Sequence, residues 1–376
     1  LGLGVYGYLK SKMTEDDYYL AGRNQSFLVT ALTIMATFFS SAALLGIPGA
    51  IYKDGAAFLF FALNLPVGGA AIYVLGSRIT RIGRARGYVT PGDMLAEYYG
   101  NSNVLRLLVA FAGFMYAVPY VIIQVRAGGH LAALLFPNVA PIAILGASFD
   151  VFDIGASLLA IIMTIYVLIG GMRSVALADC VQGSLLLLGM LISGAAVIFA
   201  FGGVANYFAA IAKLPPEALS LPGASGRYSP WLLMTICTFA AWASLIQPAQ
   251  WMRFYAARST KVLKQSALLF SLLLPVCFLF GVMLVGLGAR ALYPPTLTDG
   301  IVQPHEIVGS HDQALVAVLR EYGPQLFGAA GPAVISLILM AILAASMSTA
   351  DSNLHAVSAV LTRDVYDKFF RPQAGQ

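Results

Sequence analysis

Charged residues are scarce in this chain. Asp, Glu, Lys and Arg make up only 10% of the 376 residues, whereas hydrophobic residues make up 59% and the mean hydropathy is +0.81. A soluble domain carries about 25% charged residues because its surface faces water. The shortage of charge therefore excludes an ordinary water-soluble protein and predicts a chain that buries apolar surface against lipid.

Cysteines and catalytic signatures are also sparse. The three cysteines, Cys180, Cys237 and Cys277, lie in apolar stretches, and their spacing fits neither a zinc site nor a C-x-x-C redox pair. The sequence shows no Ser/His/Asp triad pattern, phosphate-binding loop or H-E-x-x-H motif, so we expect neither enzyme activity nor an organic cofactor. The net charge of +5 comes from short basic clusters rather than a continuous stripe, which argues against a nucleic-acid partner.

Apolar stretches of membrane-spanning length recur along the whole chain. A helix needs about 20 apolar residues to cross the hydrocarbon core. The piece before Lys10 is shorter than this, and we interpret it as the tail of a cut helix. The predicted spans are residues 26–52, 56–78, 104–136, 151–171, 174–202, 231–255, 263–293 and 328–360. We therefore expect one multi-pass membrane domain over residues 1–376.

Basic residues concentrate on alternate loops between these spans. One side carries clusters at residues 10–23, 78–86, 173, 253–264 and 363–371, and the other side carries only isolated Lys and Arg. Cytoplasmic loops are enriched in these residues, so the first span should run outward across the cytoplasmic (inner) membrane, with Arg253 counted among the loop charges. On the same inner side, residues 90–100 (TPGDMLAEYYG) predict a short helix capped by Thr90.

Two of the predicted spans are interrupted. The first contains residues 36–41 (ATFFSS) and 46–49 (GIPG), and the sixth contains residues 244–248 (SLIQP). Proline removes a backbone donor and clashes with the preceding turn, so Pro248 should free the carbonyl of Ser244. A simple kink would explain either span alone. The sixth span follows the first by five, however, as expected for the first helices of two inverted repeats that bind their ligands where helices break.

The last span carries a polar cluster at residues 345–353 (ASMSTADSN). Ala345, Ser348 and Thr349 share one helical face because they are related by i, i+3 and i+4. Two hydroxyls and a carbonyl on that face suit a hard, weakly demanding cation such as sodium. Hydrogen bonds to the previous turn or close helix packing would explain an isolated Ser-Thr pair. The ionisable Asp351 in the same cluster favours the functional interpretation.

Two carboxylates inside the spans need an explanation. Asp351 either contacts a neighbouring helix or lies at the wet cytoplasmic end of the last span. Asp179 lies near the cytoplasmic end of the fifth span, where the helix dipole would stabilise it in a structural role. It could equally attract a cation that leaves toward the cytoplasm. The sequence leaves these alternatives open.

At these positions the chain resembles the sodium:solute symporter family, which includes bacterial proline, pantothenate, sialic acid and sugar symporters. The matching stretches are residues 17–23 (DYYLAGR), 46–50 (GIPGA), 170–173 (GGMR) leading to Asp179, 247–248 (QP) followed by Arg253, and 347–352 (MSTADS). They run the length of the chain in the order that the family has. Residues 89–95 (VTPGDML) are most similar to the pantothenate-type branch.

The resemblance implies an all-α membrane protein with the leucine-transporter-like, inverted-repeat helix bundle. It also implies a sodium ion as the coupling ion. The residues that match the family's sodium site are the carbonyls of Ala36, Phe39 and Ala345 and the hydroxyls of Ser348 and Thr349. Asp179 matches an acidic residue that helps sodium to pass to the cytoplasm.

The resemblance also indicates a site for the solute. Gln247 matches a substrate-facing position in the sixth core helix, and Ser40 and Ser41 lie in the interruption of the first. Phe38 occupies a position that is polar in the proline and sugar members, which puts those solutes in doubt. We assign Phe38, Ser40, Ser41 and Gln247 to the expected solute site.

The family has a complete helix before residue 10 and about two further core helices after Asp364. We therefore expect a chain truncated at both ends, with residues 26–202 as the first repeat and 231–362 as an incomplete second repeat. The expected function is sodium-coupled symport of a small organic solute, a carboxylate or an amino-acid-like molecule, by alternating access across the lipid bilayer. The alternative is a symporter-like membrane sensor domain of a signalling protein.

Overall fold

A computed structural model describes residues 2–10, 12, 14–136, 138–144, 147–298 and 301–371. The helices of the first half are α1 (Gly2–Leu9), α2 (Glu15–Leu20), α3 (Phe27–Phe38), α4 (Gly46–Asp54), α5 (Asn64–Ala71), α6 (Ser77–Arg86), α7 (Pro91–Tyr98), α8 (Asn103–Leu135) and α9 (Val151–Ala200). Those of the second half are α10 (Val204–Ile211), α11 (Pro216–Leu219), α12 (Pro230–Ile246), α13 (Pro248–Ala256), α14 (Thr260–Phe278), α15 (Leu284–Leu292), α16 (Ala314–Phe327) and α17 (Gly331–Val360).

Shorter segments connect and extend these helices. A 3₁₀ segment covers Gly55–Leu63, and π-helical segments cover Ile72–Gly76, Leu279–Met283 and Leu361–Phe370. Two small antiparallel hairpins pair β1 (Ile142–Ile144) with β2 (Ala147–Phe149), and β3 (Thr296–Thr298) with β4 (Ile301–Gln303).

Helical structure occupies all eight of the predicted spans. In the described residues, five continuous helical stretches are long and apolar enough to cross a membrane, or six if the bent pair α12 and α13 counts as one span. This number of spanning stretches is smaller than the eight predicted spans partly because α9 contains two of them in one continuous helix. The all-helical membrane class predicted from composition is confirmed.

Gly171 divides α9 into two halves. Its φ is +53° and its ψ is −149°, a conformation outside the helical region and one that L side chains rarely adopt. A Cβ at this position would also lie 2.4 Å from the carbonyl oxygen of Tyr18. Only glycine meets both requirements, so it allows α2 to pack against the bend where one span ends and the next begins.

The short helix α7 begins as its sequence predicts. The Thr90 side chain accepts a hydrogen bond from the Asp93 N–H, the Asp93 side chain accepts from the Thr90 N–H, and Pro91 occupies the first helical position. This reciprocal capping satisfies backbone donors that would otherwise lack partners at a helix start.

Large apolar side chains cover the outside of the long helices. Phe111, Leu168, Phe239 and Leu272 are each more than 60% exposed. A water-soluble surface rarely presents apolar area in such contiguous amounts, whereas a hydrocarbon-facing surface requires it. Inside, α17 packs against α8 and α9, and α3 packs against α9, α14 and α17. The helices α3 and α17 therefore meet in the interior, where the polar residues lie.

Candidate functional site

The first interrupted span stops being helical at Phe39. Helix α3 ends at Phe38, and Phe39 and Ser40 adopt extended backbone angles before a 3₁₀ turn leads into α4. Because the chain leaves the helix there, the last carbonyls of α3 lack the N–H groups of a following turn. The carbonyls of Ala36 and Phe39 instead face the side chains of α17.

Five oxygen atoms converge between α3 and α17. Ser348 Oγ lies 3.0 Å from the Ala36 carbonyl oxygen and 3.2 Å from that of Ala345. Thr349 Oγ1 lies 3.4 Å from the Ala36 oxygen and 3.0 Å from that of Phe39. Ala36, Ala345, Ser348 and Thr349 have no solvent exposure, and Phe39 is 4% exposed. The structure thus brings together all the residues that the sequence assigns to a sodium site.

This oxygen cluster has fewer hydroxyl hydrogens than close oxygen–oxygen contacts. Each of the two hydroxyls carries one hydrogen and makes two close contacts with carbonyl oxygens, so only half of the four contacts can be hydrogen bonds. The other two contacts bring oxygen atoms together without a hydrogen between them. Such a group of oxygens is suited to a small cation, because unwound backbone carbonyls are ligands that hold sodium in broken-helix transporters.

The second interrupted span is completely broken rather than kinked. Helix α12 ends at Ile246, Gln247 is extended with ψ of 135°, and Pro248 opens α13 at an angle of 46° to α12. Pro248 is tolerated because the first turn of a helix needs no donor from that residue. Among the described residues the Gln247 side-chain oxygen is buried and has no hydrogen-bond partner.

The other residues assigned to the solute site lie at the first break. The N–H and hydroxyl of Ser41 both face Gln124 Oε1 on α8, at 3.4 and 3.1 Å. Ser40 Oγ accepts from the Ala42 N–H at 3.2 Å. The Phe38 ring packs edge-on against Phe270, with 5.4 Å between ring centres.

No hydrogen bond in the described part of the chain joins Gln247 to Ser40 or Ser41. The two breaks are instead connected by Gln250 of α13, which donates to the Ile34 carbonyl of α3 at 3.2 Å. Sequence reasoning did not assign Gln124 to the site. A glutamine in the middle of a long apolar helix was the available signal, because a buried amide needs partners.

Asp179 lies in a buried ion pair. Its Oδ2 accepts a hydrogen bond from Arg253 Nη2 at 2.9 Å and another from the Thr33 hydroxyl, and both charged side chains have no solvent exposure. Arg253 also donates to Thr33 Oγ1 and, through Nη2, to Ser352 Oγ. The ion pair therefore joins α3, α9, α13 and α17.

The placement of Arg253 corrects the loop assignment made from the sequence. Arg253 is the largest of the fully buried side chains, and it belongs to the interior rather than to a cytoplasmic loop. It was counted with the loop charges because it lies only five residues before Arg258, which is exposed. The orientation argument still holds for Arg258, Lys261 and Lys264 of that cluster.

Asp351 contacts a neighbouring helix, which decides between the two alternatives that the sequence left open. The Tyr166 hydroxyl in the first half of α9 donates to its Oδ2, and Ser352 Oγ lies 3.1 Å from its Oδ1. Asp351 has no solvent exposure, so it does not lie at a wet helix end.

A chain of hydroxyl groups links the oxygen cluster to the ion pair. Ser352 Oγ donates to the Ser348 carbonyl at 2.6 Å, and it also lies 3.1 Å from Thr37 Oγ1. Thr37 in turn donates to the Thr33 carbonyl at 2.7 Å. The oxygen cluster and the Asp179–Arg253 ion pair are thus one helical turn apart along α17 and connected by polar groups.

Comparisons with known proteins identify the family to which the chain is similar. The sequence profile of the sodium:solute symporter family matches residues 18–376. The sodium/pantothenate symporter of Escherichia coli is 26% identical over 373 residues, which cover 97% of this chain and 69% of that protein. The osmoregulated proline transporter OpuE of Bacillus subtilis is 27% identical over 395 residues, covering 100% of this chain and 72% of the relative.

A solved structure shows a similar fold. The substrate-bound, outward-open state of a Na⁺-coupled sialic acid symporter superimposes with a TM-score of 0.73 at 20% sequence identity. The similarity covers 98% of this chain and 71% of the solved one. This likeness confirms the symporter-type, leucine-transporter-like fold.

Proposed function

The chain belongs to the sodium:solute symporter family. It is a multi-pass, sodium-driven transporter of the cytoplasmic membrane, and we propose that it carries a small carboxylate-bearing solute by alternating access. The convergence of the five oxygens between α3 and α17 carries this proposal. Sodium bound there would tie the broken helix to α17 and favour the arrangement in which the solute binds. The five proposed ligands are the carbonyls of Ala36, Phe39 and Ala345 and the hydroxyls of Ser348 and Thr349.

The solute would bind between the two broken helices. The start of α13 lies directly after Gln247, and the N-terminus of a helix attracts a carboxylate through its N–H groups and dipole. The unpartnered oxygen of Gln247 supplies an acceptor, and Ser40 and Ser41 supply hydroxyls at the facing break. The ring of Phe38 supplies an apolar wall. Pantothenate, proline and sialic acid, the solutes named for the relatives, all carry a carboxylate.

Asp179 supports a path for sodium toward the cytoplasm. Asp179 and Asp351 together outnumber the single guanidinium of Arg253 in the buried network, so the region has an excess of acceptors for a cation. Sodium that leaves the oxygen cluster would meet Ser352 and then the ion pair. Release would require Arg253 and Asp179 to separate, which links the exit of the ion to movement of α13.

The positions of the breaks support two inverted repeats. Residues 26–202 would form the first repeat, and residues 231–362 would form the part of the second that this chain includes. Each repeat begins with a broken helix, α3 with α4 and α12 with α13. Rocking of these helices against α8, α9 and α17 would alternate access to the solute.

Sodium supplies the driving force through the membrane potential. Moving one charge across 100 mV contributes about 2.3 kcal/mol. One sodium ion could therefore sustain a solute gradient of about fortyfold from voltage alone, since about 1.4 kcal/mol corresponds to tenfold.

The test is uptake by the full-length protein reconstituted in liposomes, with pantothenate, proline and other small carboxylates as a panel. Ser348→Ala and Thr349→Ala should each raise the sodium concentration for half-maximal uptake by about tenfold or more, because a ligand to a charged group is lost. Ser346→Ala is the matched control. Ser346 lies on the same helix, is 1% exposed, and donates only within α17 to Ile342.

Two outcomes would contradict the proposal. If uptake of every solute is independent of sodium, the coupling assignment is wrong. If the control changes the sodium dependence as much as the two cluster variants do, the ion does not bind at these oxygens.

The relatives compared are named as symporters or transporters, which gives no support to the alternative of a membrane sensor. Their names also agree with transport rather than with an enzymatic reaction.

A further inference from the structure

A second polar region lies apart from the ion and solute sites, at the cytoplasmic ends of the helices. It is a cavity of about 660 Å³ between α1, α2, α3, α6 and the start of the second half of α9. We call it the basic vestibule. Its cationic lining residues are Lys10, Lys12, Arg23, Arg84, Arg173 and Arg258.

The basic vestibule has far more positive than negative charge. Among the described residues only one carboxylate lines it, that of Asp17, and Arg173 already forms an ion pair with it. Arg23 pairs with Asp16 at 2.7 Å. In the part of the chain that the structure covers, no carboxylate pairs with the other four cations, Lys10, Lys12, Arg84 and Arg258. A concave surface with one sign of charge concentrates the field and attracts a counter-ion.

Two of the cations are held in place by backbone contacts. Arg84 Nη1 donates to the carbonyls of Arg23 and Ala257 at 2.8 and 2.9 Å. Arg23 Nη2 donates to the Tyr88 carbonyl at 3.0 Å, and Arg23 itself has a left-handed φ of 53°. Ordering of these long side chains before any ligand arrives lowers the entropic cost of binding.

The N-terminus of α3 opens into the same cavity. Ser26 is its N-cap residue, but its side chain makes no capping hydrogen bond, and Ser26 and Val29 both line the cavity. The first N–H groups of the helix have no partner within it, and they carry the positive end of the helix dipole. An anion in the basic vestibule would therefore contact backbone donors as well as cationic side chains.

We propose that the basic vestibule binds a phosphate group, supplied either by the headgroup of an anionic phospholipid or by a soluble phosphate ester. Phosphate matches the lining because its several oxygens and its charge suit guanidinium forks and a helix N-terminus together. Tyr6, which also lines the cavity, is 52% exposed on the lipid-facing helix α1. Basic pockets between membrane helices on the cytoplasmic side bind phospholipid headgroups in this way.

The bound phosphate would connect parts that move during transport. It would hold the start of α3, whose other end carries the carbonyls of Ala36 and Phe39, against Ala176 and Leu177 in the second half of α9. The basic vestibule is thus a separate anion site that stabilises the contact between α3 and the second half of α9.

The test compares a double variant with a matched control. Lys12→Gln with Arg258→Gln removes two lining cations whose side chains form no ion pair within the described part of the chain. Arg78→Gln with Arg81→Gln removes the same charge from exposed residues of α6 that lie outside the cavity. The thermal midpoint of the full-length protein is followed during titration with inorganic phosphate in detergent, at an ionic strength held constant with chloride. It is also followed in nanodiscs of phosphatidylcholine with and without phosphatidylglycerol.

The double variant should bind phosphate or respond to phosphatidylglycerol about 25-fold more weakly, since each cation near the surface contributes about fivefold. The control should resemble the wild-type protein, and Arg258→Lys should retain most of the effect. Stabilisation by phosphate in detergent would assign a soluble ester, and stabilisation only by phosphatidylglycerol would assign the lipid.

The proposal is overturned if neither probe stabilises the wild-type protein. It is also overturned if the control loses as much affinity as the double variant, because the effect would then be one of general surface charge. Neither result depends on sodium uptake, so both are distinguishable from a failure of the proposed transport function.

Discussion

The two polar regions between α3 and α17 differ in how they are satisfied. The oxygen cluster around Ser348 and Thr349 contains only neutral groups and has too few hydrogen atoms for its contacts. One turn further along α17, the network around Asp179 contains full charges, and its Arg253 guanidinium donates to residues of α3, α9, α13 and α17. The oxygen cluster contains no positive charge, whereas the network around Asp179 contains the guanidinium of Arg253.

This difference suggests a division of labour. A neutral cluster gains a cation without first losing an ion pair, so the proposed sodium site would exchange its ion without that cost. Removing one partner of a buried ion pair strongly destabilises the protein, because the remaining charge lies unpaired in a dry interior. The Asp179–Arg253 ion pair should therefore hold its helices together, and the two side chains should separate only in one cooperative step.

The largest expected effect comes from removing one of the two charges of the Asp179–Arg253 ion pair. Arg253→Leu should destabilise the protein by about 3 to 5 kcal/mol, because it leaves the Asp179 carboxylate buried without its partner. Adding Asp179→Leu should recover much of the loss, since neither charge then remains. The measurement is the free energy of unfolding in mixed detergent micelles.

Lys261→Leu is the control for Arg253→Leu, because it removes an exposed cation five residues beyond the end of α13. If the two variants lose similar stability, the ion pair does not fasten the helices. The contrast with the neutral cluster is also measurable, since Ser348→Ala should lower stability mainly when sodium is present.

A smaller effect is expected at the second carboxylate of the charged network. Tyr166→Phe removes the hydroxyl that donates to Asp351, and a buried oxygen left without its hydrogen bond costs about 1 to 3 kcal/mol. Tyr116→Phe makes the same change on α8, where the exposed Tyr116 hydroxyl has no recorded hydrogen bond in the described residues. Equal losses of unfolding free energy in the two variants would show that Asp351 does not depend on Tyr166.

The smallest effect is expected at an ion pair near the membrane surface. Burial opposes ionisation of Asp93, but hydrogen bonds from Arg106 at 2.8 Å and from the N–H groups of Val89 and Thr90 outweigh it and lower the pKa of Asp93. Because its pKa is depressed in the folded state, Asp93 stabilises the protein fully above about pH 4, the unfolded value. That contribution is lost as the pH falls through the lower native pKa.

Arg106 also pairs with Asp364 at 2.7 Å, so it keeps a carboxylate partner when Asp93 is replaced. Asp93→Asn should therefore cost only about 1 kcal/mol at neutral pH, the usual size of a capping interaction, and the difference from the wild-type protein should shrink in acid. Asp153→Asn changes the same position of another capping box, at the start of α9, where no cation is paired with the carboxylate in the described residues. Unfolding measured against pH should show the wild-type acid dependence for the Asp153→Asn variant, because it retains Asp93 and its ion pair with Arg106. If unfolding free energy depends on pH identically in both variants, the ion pair with Arg106 does not account for the acid dependence.

Local features were predictable because their causes are local. The capping of α7 follows from Thr90, Pro91 and Asp93 within four residues, and the break after Ile246 follows from Pro248. The shared face of Ser348 and Thr349 follows from helical periodicity. The fate of Arg253 was not predictable in this way, because an arginine near the end of a span is read as a loop charge unless its partner is known.

The amino-acid sequence by itself determined that this is a multi-pass helical membrane protein, where its spans lie and where two of them break. These properties depend on composition, hydrophobic length and backbone chemistry, which act within a few residues. The tertiary structure decided which groups meet. Ser348 lies 312 residues from Ala36, and Arg253 lies 74 residues from Asp179. No short-range pattern encodes such pairs, because they form only when packing excludes water and forces buried oxygens and charges to find partners in other helices.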